Sequence, residues 1–285
     1  MAIYDKNGNV LLSAYDVNAD ILSSAYDIDG NIIHSSEPPA PNFKVMSYNV
    51  GHWYTGGASI VPSAKDADYY ALQNGMIQNA DADLLCICEY RNMFSESGRT
   101  ALSLLSQYYP YIKTVNGDYN YTGKAICSKY PLTDLHIITQ QYWYSNMTFN
   151  GETIPVIIVH LSANDSRTEQ LANLVTYLRG KQKFIACGDY NTLSITGSVT
   201  TEASDYTNMI VPLLNANFNL ANCSDNGFLV TYSDEPTGTY TGCLDNIVTS
   251  SNITIIDAYV DETKLTDSIV DKTDHMPLIA ELHIN

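Results

Sequence analysis

Carboxylate, amide and imidazole side chains follow several of the apolar segments of this 285-residue chain. Asn49 ends the segment FKVMSYN, Glu89 follows ADLLCIC, and His160 follows TIPVIIV. Oxygen atoms of carboxylates and amides bind hard cations, and an imidazole takes up or releases a proton near neutral pH. Because side chains at the ends of different strands can converge on one rim, we expect these residues to form one polar site.

The same placement recurs in the second half of the chain. Asp189 and Asn191 lie in KFIACGDYN, Asp245 lies in CLDNIVTS, and Asp274 and His275 precede MPLIAELHI. Two residues separated by one position on a strand point the same way, so Asp189 and Asn191 are expected to act together. Each of these residues alone would be read as a turn or hydrogen-bonding residue. Only the joint pattern indicates a site.

The elements that must position these residues alternate along the chain from residue 43 onwards. Short apolar runs alternate with amphipathic segments, and helices are expected near 66–79, 99–107 and 166–179. Continuous apolar strands covered by helices predict a layered α/β sandwich. The aromatic residues of QYWYSNMTF (141–149) favour a strand that faces the core, the alternative being an exposed hairpin that enters a lipid surface.

The first 42 residues differ from the rest. Three 11-residue repeats occupy 3–13, 14–24 and 25–35, and each joins an aromatic start, a turn-forming centre and an aliphatic stretch. This pattern predicts a small β-hairpin appendage over residues 1–35. Such short units bury little surface, so we expect them to pack on the main domain, self-associate or dock on a larger assembly. The proline-rich residues 36–42 predict a linker before a catalytic domain at 43–285.

Composition narrows the classes of function. The chain has 31 Asp and Glu against 14 Lys and Arg, a net charge of −17. This argues against a processive nucleic-acid binder, although bound metal ions can invert the field of a cleft. Cys86 and Cys88 have the wrong spacing for a zinc site, and pairing of Cys223 with Cys243 is left open.

Targeting signals are not apparent in the sequence. The first residues lack a basic start followed by an apolar stretch, and no apolar run of about 18 residues occurs. We therefore expect no signal peptide and no membrane span. The protein is then expected to be cytoplasmic, released by lysis, or attached to a particle through the repeats.

Seven segments carry a resemblance to a known family. They are MSYNVG (46–51), ADLLCICEYR (82–91), AICSKYPL (125–132), VIIVHLSAN (156–164), GDYN (188–191), CLDNI (243–247) and TDHMPL (273–278). In this order they resemble motifs of the deoxyribonuclease I-like endonuclease/exonuclease/phosphatase superfamily. The resemblance implies an α/β (α+β) fold, a four-layer sandwich with two mixed sheets face to face and helices outside. It also implies metal-dependent hydrolysis of a phosphodiester.

The resemblance assigns roles to the site residues. The implied ligands of Mg²⁺, with Mn²⁺ or Ca²⁺ as alternatives, are Asn49, Glu89 and Asp274. The implied catalytic residues are His160, Asp189, Asn191, Asp245 and His275, with Asp245 orienting His275. The general base is left open between Asp189 and His275. Substrate phosphate is expected to contact Arg91, Asn191 and His160, although a structural ion pair is an equal alternative for Arg91.

The substrate is less well defined, because one fold serves many functions. The leading hypothesis is an endonuclease that acts on DNA. The alternatives are a sphingomyelinase-like or small-molecule phosphodiesterase or phosphatase, and a catalytically silent binding protein of the same fold. An abasic-site enzyme is disfavoured by the acidic charge and by the VHLSAN motif, and an inositol phosphatase by Asn246 in place of an arginine.

Overall fold

The computed structural model describes residues 3–4, 10–11, 24–26, 32–35, 39–51, 71, 74–90, 100–115, 123–164, 166–195, 205–223, 228–233, 241–262 and 275–285. It divides into two compact units, residues 1–40 and 41–285. In the first unit, β1 (Ile3–Tyr4) pairs antiparallel with β2 (Val10–Leu11), and β3 (Ser24–Tyr26) pairs antiparallel with β4 (Ile32–Ser35). The assignment of three repeats, a linker and a catalytic domain stays a prediction.

The second unit alternates strands and helices. Its described strands are β5 (Phe43–Asn49), β6 (Leu84–Cys88), β7 (Tyr111–Val115), β8 (Lys124–Ser128), β9 (His136–Ile137), β10 (Tyr142–Phe149), β11 (Glu152–His160), β12 (Ile185–Ile195), β13 (Asn219–Leu220), β14 (Tyr232–Ser233), β15 (Thr241–Thr249), β16 (Ile253–Val260) and β17 (Leu278–Ile284). Its described helices are α1 (74–80), α2 (Ala101–Leu105), α3 (Arg167–Arg179) and α4 (Val211–Leu214), with a π-helical turn at Tyr206–Ile210.

The strands form two mixed sheets. One sheet has the order β16-β17-β5-β6-β8-β7, and the other has the order β13-β15-β12-β11-β10-β9, with β14 beside β15. In the first sheet β5 and β6 run parallel, and in the second β11 and β12 run parallel. The other pairs of described strands in both sheets are antiparallel.

The apolar runs are continuous because most of the central strands are buried on both faces. Along β6, Leu84, Cys86 and Cys88 join the cluster between the sheets, whereas Leu85 and Ile87 join the cluster beneath α1 and α2. Side chains alternate between the faces of a strand, so both sets must be apolar when helices cover the outer face.

Three buried clusters correspond to the three interfaces of a four-layer sandwich. The first lies between the sheets, the second between the first sheet and α1 and α2, and the third between the second sheet and α3 and α4. The predicted α/β sandwich is therefore confirmed. α2 begins later than expected, because the Thr100 side chain accepts a hydrogen bond from the Ser103 amide and caps the helix at Ala101.

The aromatic segment 141–149 forms β10 and belongs to the core. Trp143 and Phe149 are buried in the cluster between the sheets, which bears out the core-facing prediction. No disulfide joins Cys223 to Cys243 in the structure. Among the described residues, none of the helices combines the length and the apolar character needed to cross a membrane.

Gly188 lies where β12 runs beside β11, in register with Val159. Its φ is +146°, and a Cβ atom added there would lie 1.9 Å from the carbonyl oxygen of Val159. A glycine is required at this position, because the Val159 backbone could not move far enough to accept a Cβ atom without breaking the parallel pairing.

Replacing Gly188 with alanine is expected to destabilise the protein by more than about 3 kcal/mol, since both the clash and the positive φ oppose any side chain. Urea unfolding followed by circular dichroism measures the change. Gly180→Ala is the matched control, because Gly180 has φ −77° and a Cβ there would lie 3.7 Å from the nearest atom. Equal stability of the two variants would contradict the prediction.

Candidate active site

The two parallel strand pairs bring four predicted residues together. Asn49 ends β5 beside the end of β6, which is followed by Glu89. His160 ends β11 in register with Asp189 of β12. Because the sheets face each other, the residues of the first pair meet those of the second across the edge of the sandwich.

Asn49 joins the two sheets. Its Nδ2 donates to Glu89 Oε1 at 3.2 Å and to Asp189 Oδ2 at 3.0 Å. Its Oδ1 accepts from the backbone N–H of Gly51 at 3.1 Å, which fixes the orientation of the amide. The amide of Asn49 therefore holds two carboxylates from opposite sheets near each other.

Two imidazoles face this pair of carboxylates. His160 Nε2 lies 3.8 Å from Glu89 Oε1 and 3.7 Å from Asp189 Oδ2, and His275 Nε2 lies 3.6 Å from Asp189 Oδ2. These distances exceed that of a direct hydrogen bond.

Asp245 contacts His275, the residue that the resemblance implies it orients. Its Oδ2 lies 2.7 Å from His275 Nδ1, so Nδ1 carries the proton and Nε2 faces Asp189. The side chain of Thr231 holds this dyad, because its Oγ1 accepts from the backbone N–H of Asp245 at 3.0 Å. Asp245 Oδ1 is buried and finds no hydrogen-bond partner among the described residues.

Asp189 and Asp245 do not lie at strand ends, in contrast to the prediction. They pair with each other inside β12 and β15, and the pairing of these two strands continues beyond them from Leu193 to Ile195. A bulge between Asp189 and Leu193 interrupts this pairing. Bulges next to active sites re-aim side chains, and here the bulge contains Asn191.

Asn191 and Glu89 have positive φ values of 49° and 56°. Such backbone conformations cost energy in residues other than glycine and occur at sites that the surrounding structure holds in place. The Asn191 amide donates to Leu161 O at 2.8 Å, and its backbone N–H donates to Asp189 Oδ1 at 2.8 Å. Glu89 and Asn191 are thus fixed in strained conformations on opposite sides of the cleft.

Arg167 is a supporting residue that the sequence analysis missed. Its Nη1 donates to the carbonyl oxygen of Asn191 at 2.7 Å, and its Nη2 contacts Asp205 Oδ1 at 2.6 Å. No local pattern relates Arg167 to Asn191 or Asp205, because the contacts join distant segments. At most, a basic residue in the first turn of a helix, where acidic residues are favoured, is a weak signal.

Five of the predicted residues line a cleft of about 540 Å³, namely Glu89, His160, Asp189, Asn191 and His275. Its walls include Glu89, Lys124, Gln140, Gln141, His160, Leu161, Ser162, Ala163, Asp189, Asn191, Tyr232, Leu244 and His275. Lys124 was also missed, although a lysine inside the apolar run GKAICS is a visible signal. Tyr232 contacts His275 edge-on, with the ring centroids 5.3 Å apart.

Electrostatics distinguish Asp189 from an ordinary carboxylate. Burial raises the pKa of Asp189 above its usual value of 3.8, the nearby charge of Asp245 raises it further, and His275 opposes both effects. Without a nearby cation, the folded protein therefore holds the proton of Asp189 more firmly than the unfolded chain does.

The donor set suits a hard cation. Glu89 supplies a carboxylate at the cleft wall, and Mg²⁺ is usually held by one or two carboxylates together with water. In the described ranges, no group of three or more His, Cys, Asp and Glu residues is arranged around a metal position. Asp274 and Arg91, a predicted ligand and a predicted phosphate contact, lie outside the described residues.

Comparison with known proteins finds a family match over most of the chain. The profile of the Endonuclease/Exonuclease/phosphatase family matches residues 46–275. No curated protein sequence matches the chain. A humanized TDP2 of D. rerio is 13% identical with a TM-score of 0.60, and the match covers 85% of this chain and 98% of that chain.

Two further solved structures have the same fold. The 3′ phosphatase NExo from Neisseria, bound to a product DNA hairpin, is 17% identical with a TM-score of 0.59, covering 85% of this chain and 100% of that chain. The beta toxin of Staphylococcus aureus is 20% identical with a TM-score of 0.54, covering 86% of this chain and 100% of that chain.

The raised pKa of Asp189 predicts a pH-dependent stability. Below pH 3.8 the carboxyl is protonated in both the folded and the unfolded state and has no effect. As the pH rises, the unfolded state loses this proton first, so the folded state binds more protons and the free energy of unfolding falls. Asp189→Asn, unfolded in EDTA between pH 4 and 8, should therefore gain stability relative to wild type as the pH rises.

Asp134 provides a control of opposite sign for this measurement. Hydrogen bonding and charge from Lys113 lower the pKa of Asp134, which lies on the surface. Asp134→Asn should show a small loss of stability that is already complete above the usual pKa of 3.8 and therefore stays nearly constant between pH 4 and 8. A stability difference between Asp189→Asn and wild type that stays constant with pH would contradict the prediction.

Arg167→Gln is expected to lower the free energy of unfolding by about 1–3 kcal/mol, because it removes charged hydrogen bonds to Asn191 and Asp205. Thermal unfolding measures the effect. Arg179→Gln, at the exposed end of the same helix, should change the value by less than about 0.5 kcal/mol. A loss of the same size in both variants would show that the Asn191 contact contributes little.

Proposed function

Because the chain belongs to the endonuclease/exonuclease/phosphatase family, we propose that it is a divalent-metal-dependent phosphodiester hydrolase that cuts DNA as an endonuclease. The observation that carries this proposal is the cleft in which Glu89 and Asp189 meet the imidazoles of His160 and His275. Hydrolysis of a phosphodiester requires a cation site, a proton-transfer group and a donor to the phosphoryl oxygens. This cleft contains residues for each requirement.

The metal site includes Glu89, with Asn49 and Asp274 as further ligands. When bound by these residues, a cation such as Mg²⁺ or Mn²⁺ would supply positive charge to neutralise the phosphoryl oxygens and the leaving oxygen. The amide of Asn49 keeps Glu89 in place from its own sheet. The oxygen of that amide has a second lone pair beside its hydrogen bond with Gly51.

Proton transfer belongs to His275 and Asp189. His275 presents Nε2 to the cleft while Asp245 holds Nδ1, an arrangement that fixes one tautomer and stabilises the imidazolium. Asp189 lies between Asn49 and His275 and can orient an attacking water or accept its proton. His160 and Asn191 line the same cleft and are the proposed contacts of the phosphate.

The choice of DNA is favoured by the burial of β10. A hydrolase that acts at a lipid surface would use exposed aromatic residues, and the aromatic segment 141–149 packs in the core instead. The fold is shared with NExo, which was solved with a product DNA hairpin. A small-molecule phosphodiesterase is the second candidate, because the acidic charge of −17 repels long polyanions.

Nicking of supercoiled plasmid with Mg²⁺ or Mn²⁺ tests the proposal. Activity should disappear with EDTA and fall at least about 100-fold in Glu89→Gln and His275→Ala, because each removes a group that acts in the transition state. Glu169→Gln and His136→Ala change exposed residues of the same types elsewhere on the domain and should retain full activity.

Three results would change the assignment. Metal-dependent release from bis-p-nitrophenyl phosphate without nicking would move the substrate from DNA to a small phosphodiester. Nicking that persists in both site variants would show that another protein or another site is responsible. A folded wild-type protein with no turnover on any phosphodiester would favour a catalytically silent binding protein.

A further inference from the structure

Lys124 occupies a place where lysine is rare. It begins β8, is 1% exposed, and lines the cleft together with Glu89 and His160. Lysine is almost never fully buried unless its ammonium group has partners. A buried lysine in the wall of the cleft therefore calls for a physical explanation.

The partners of Lys124 favour a positive charge. Nζ donates to the carbonyl oxygen of Gln140 at 3.1 Å and lies 4.5 Å from the centre of the Trp143 ring. The ring is itself fixed, because its Nε1 donates to the carbonyl oxygen of Thr139 at 2.7 Å. A carbonyl oxygen and the face of an indole both stabilise an ammonium group.

The ammonium group lies in the field of the predicted metal ligand. Lys124 pairs with Cys88 across β8 and β6, and Glu89 is the next residue. Burial lowers the pKa of Lys124, whereas Cys88 and then Glu89 raise it. The charges of Lys124 and Glu89 therefore interact, and a cation that approaches Glu89 is repelled by the ammonium.

We propose that Lys124 is a positioning residue that keeps a positive charge beside Glu89 and thereby weakens the binding of a divalent cation at this site. The inference rests on the proposed function, in which Glu89 holds the metal. A cation bound weakly by the protein alone is bound more firmly when the negative charge of a phosphodiester enters the cleft. If the contacts of Lys124 served only to join the sheets, its removal would leave metal affinity unchanged or lower it.

Binding of Mn²⁺ to the full chain, measured by calorimetry and by the electron paramagnetic resonance signal of free Mn²⁺, tests the inference. Lys124→Met keeps most of the side-chain volume and removes the charge, and it should lower the Kd for Mn²⁺ roughly ten-fold. Lys124→Arg keeps the charge and should bind Mn²⁺ like wild type. Lys113→Met, on the neighbouring strand β7, is the control for loss of a lysine outside the cleft and should also bind like wild type.

Each outcome decides between the proposals. Circular dichroism establishes that the variants are folded, and Lys124→Gln replaces Lys124→Met as the neutral variant if the methionine protein unfolds. Mn²⁺ binding that depends on Glu89 but is not tighter in the neutral variant overturns this inference alone. Wild-type protein that binds no Mn²⁺, or binds it equally well as Glu89→Gln, overturns both this inference and the metal role of Glu89.

Discussion

In each sheet one pair of neighbouring strands runs parallel, and the carboxyl ends of the two pairs meet at one edge of the sandwich. β5 and β6 bring Asn49 beside Glu89, and β11 and β12 bring His160 beside Asp189. The amide of Asn49 connects the two pairs. The rest of the site depends on this contact between sheets, because it fixes the distance across which the acidic and imidazole groups act.

The contact has an electrostatic cost that the protein offsets locally. Three carboxylates, those of Glu89, Asp189 and Asp245, lie in or beside one cleft of a strongly acidic chain. Hydrogen bonds from Asn49, the imidazoles and the buried charge of Lys124 reduce their mutual repulsion. A bound divalent cation would complete this compensation, which is a physical reason to expect one.

The sequence predicted the layers of the fold and most of the site. Apolar runs mark strands buried on both faces, and a polar residue after such a run marks a strand end, so Asn49, Glu89 and His160 were identifiable. The sequence did not predict that Asp189 and Asp245 lie inside their strands, because tertiary packing determines how far two strands pair. Arg167 was missed for the related reason that its partners are distant in sequence. The substrate stays a proposal, since the same layers and strand ends serve many phosphoesters.

The left-handed backbone of Glu89 and Asn191 also bears on how such a protein changes under selection. Glycine at either position would relieve a conformational penalty of about 1–3 kcal/mol, at the loss of a side chain that faces the cleft. Mutagenesis screened only for thermal stability would accordingly enrich glycine at residues 89 and 191 and yield more stable variants that lack these cleft side chains. Screens for improved variants should therefore select for turnover and stability together.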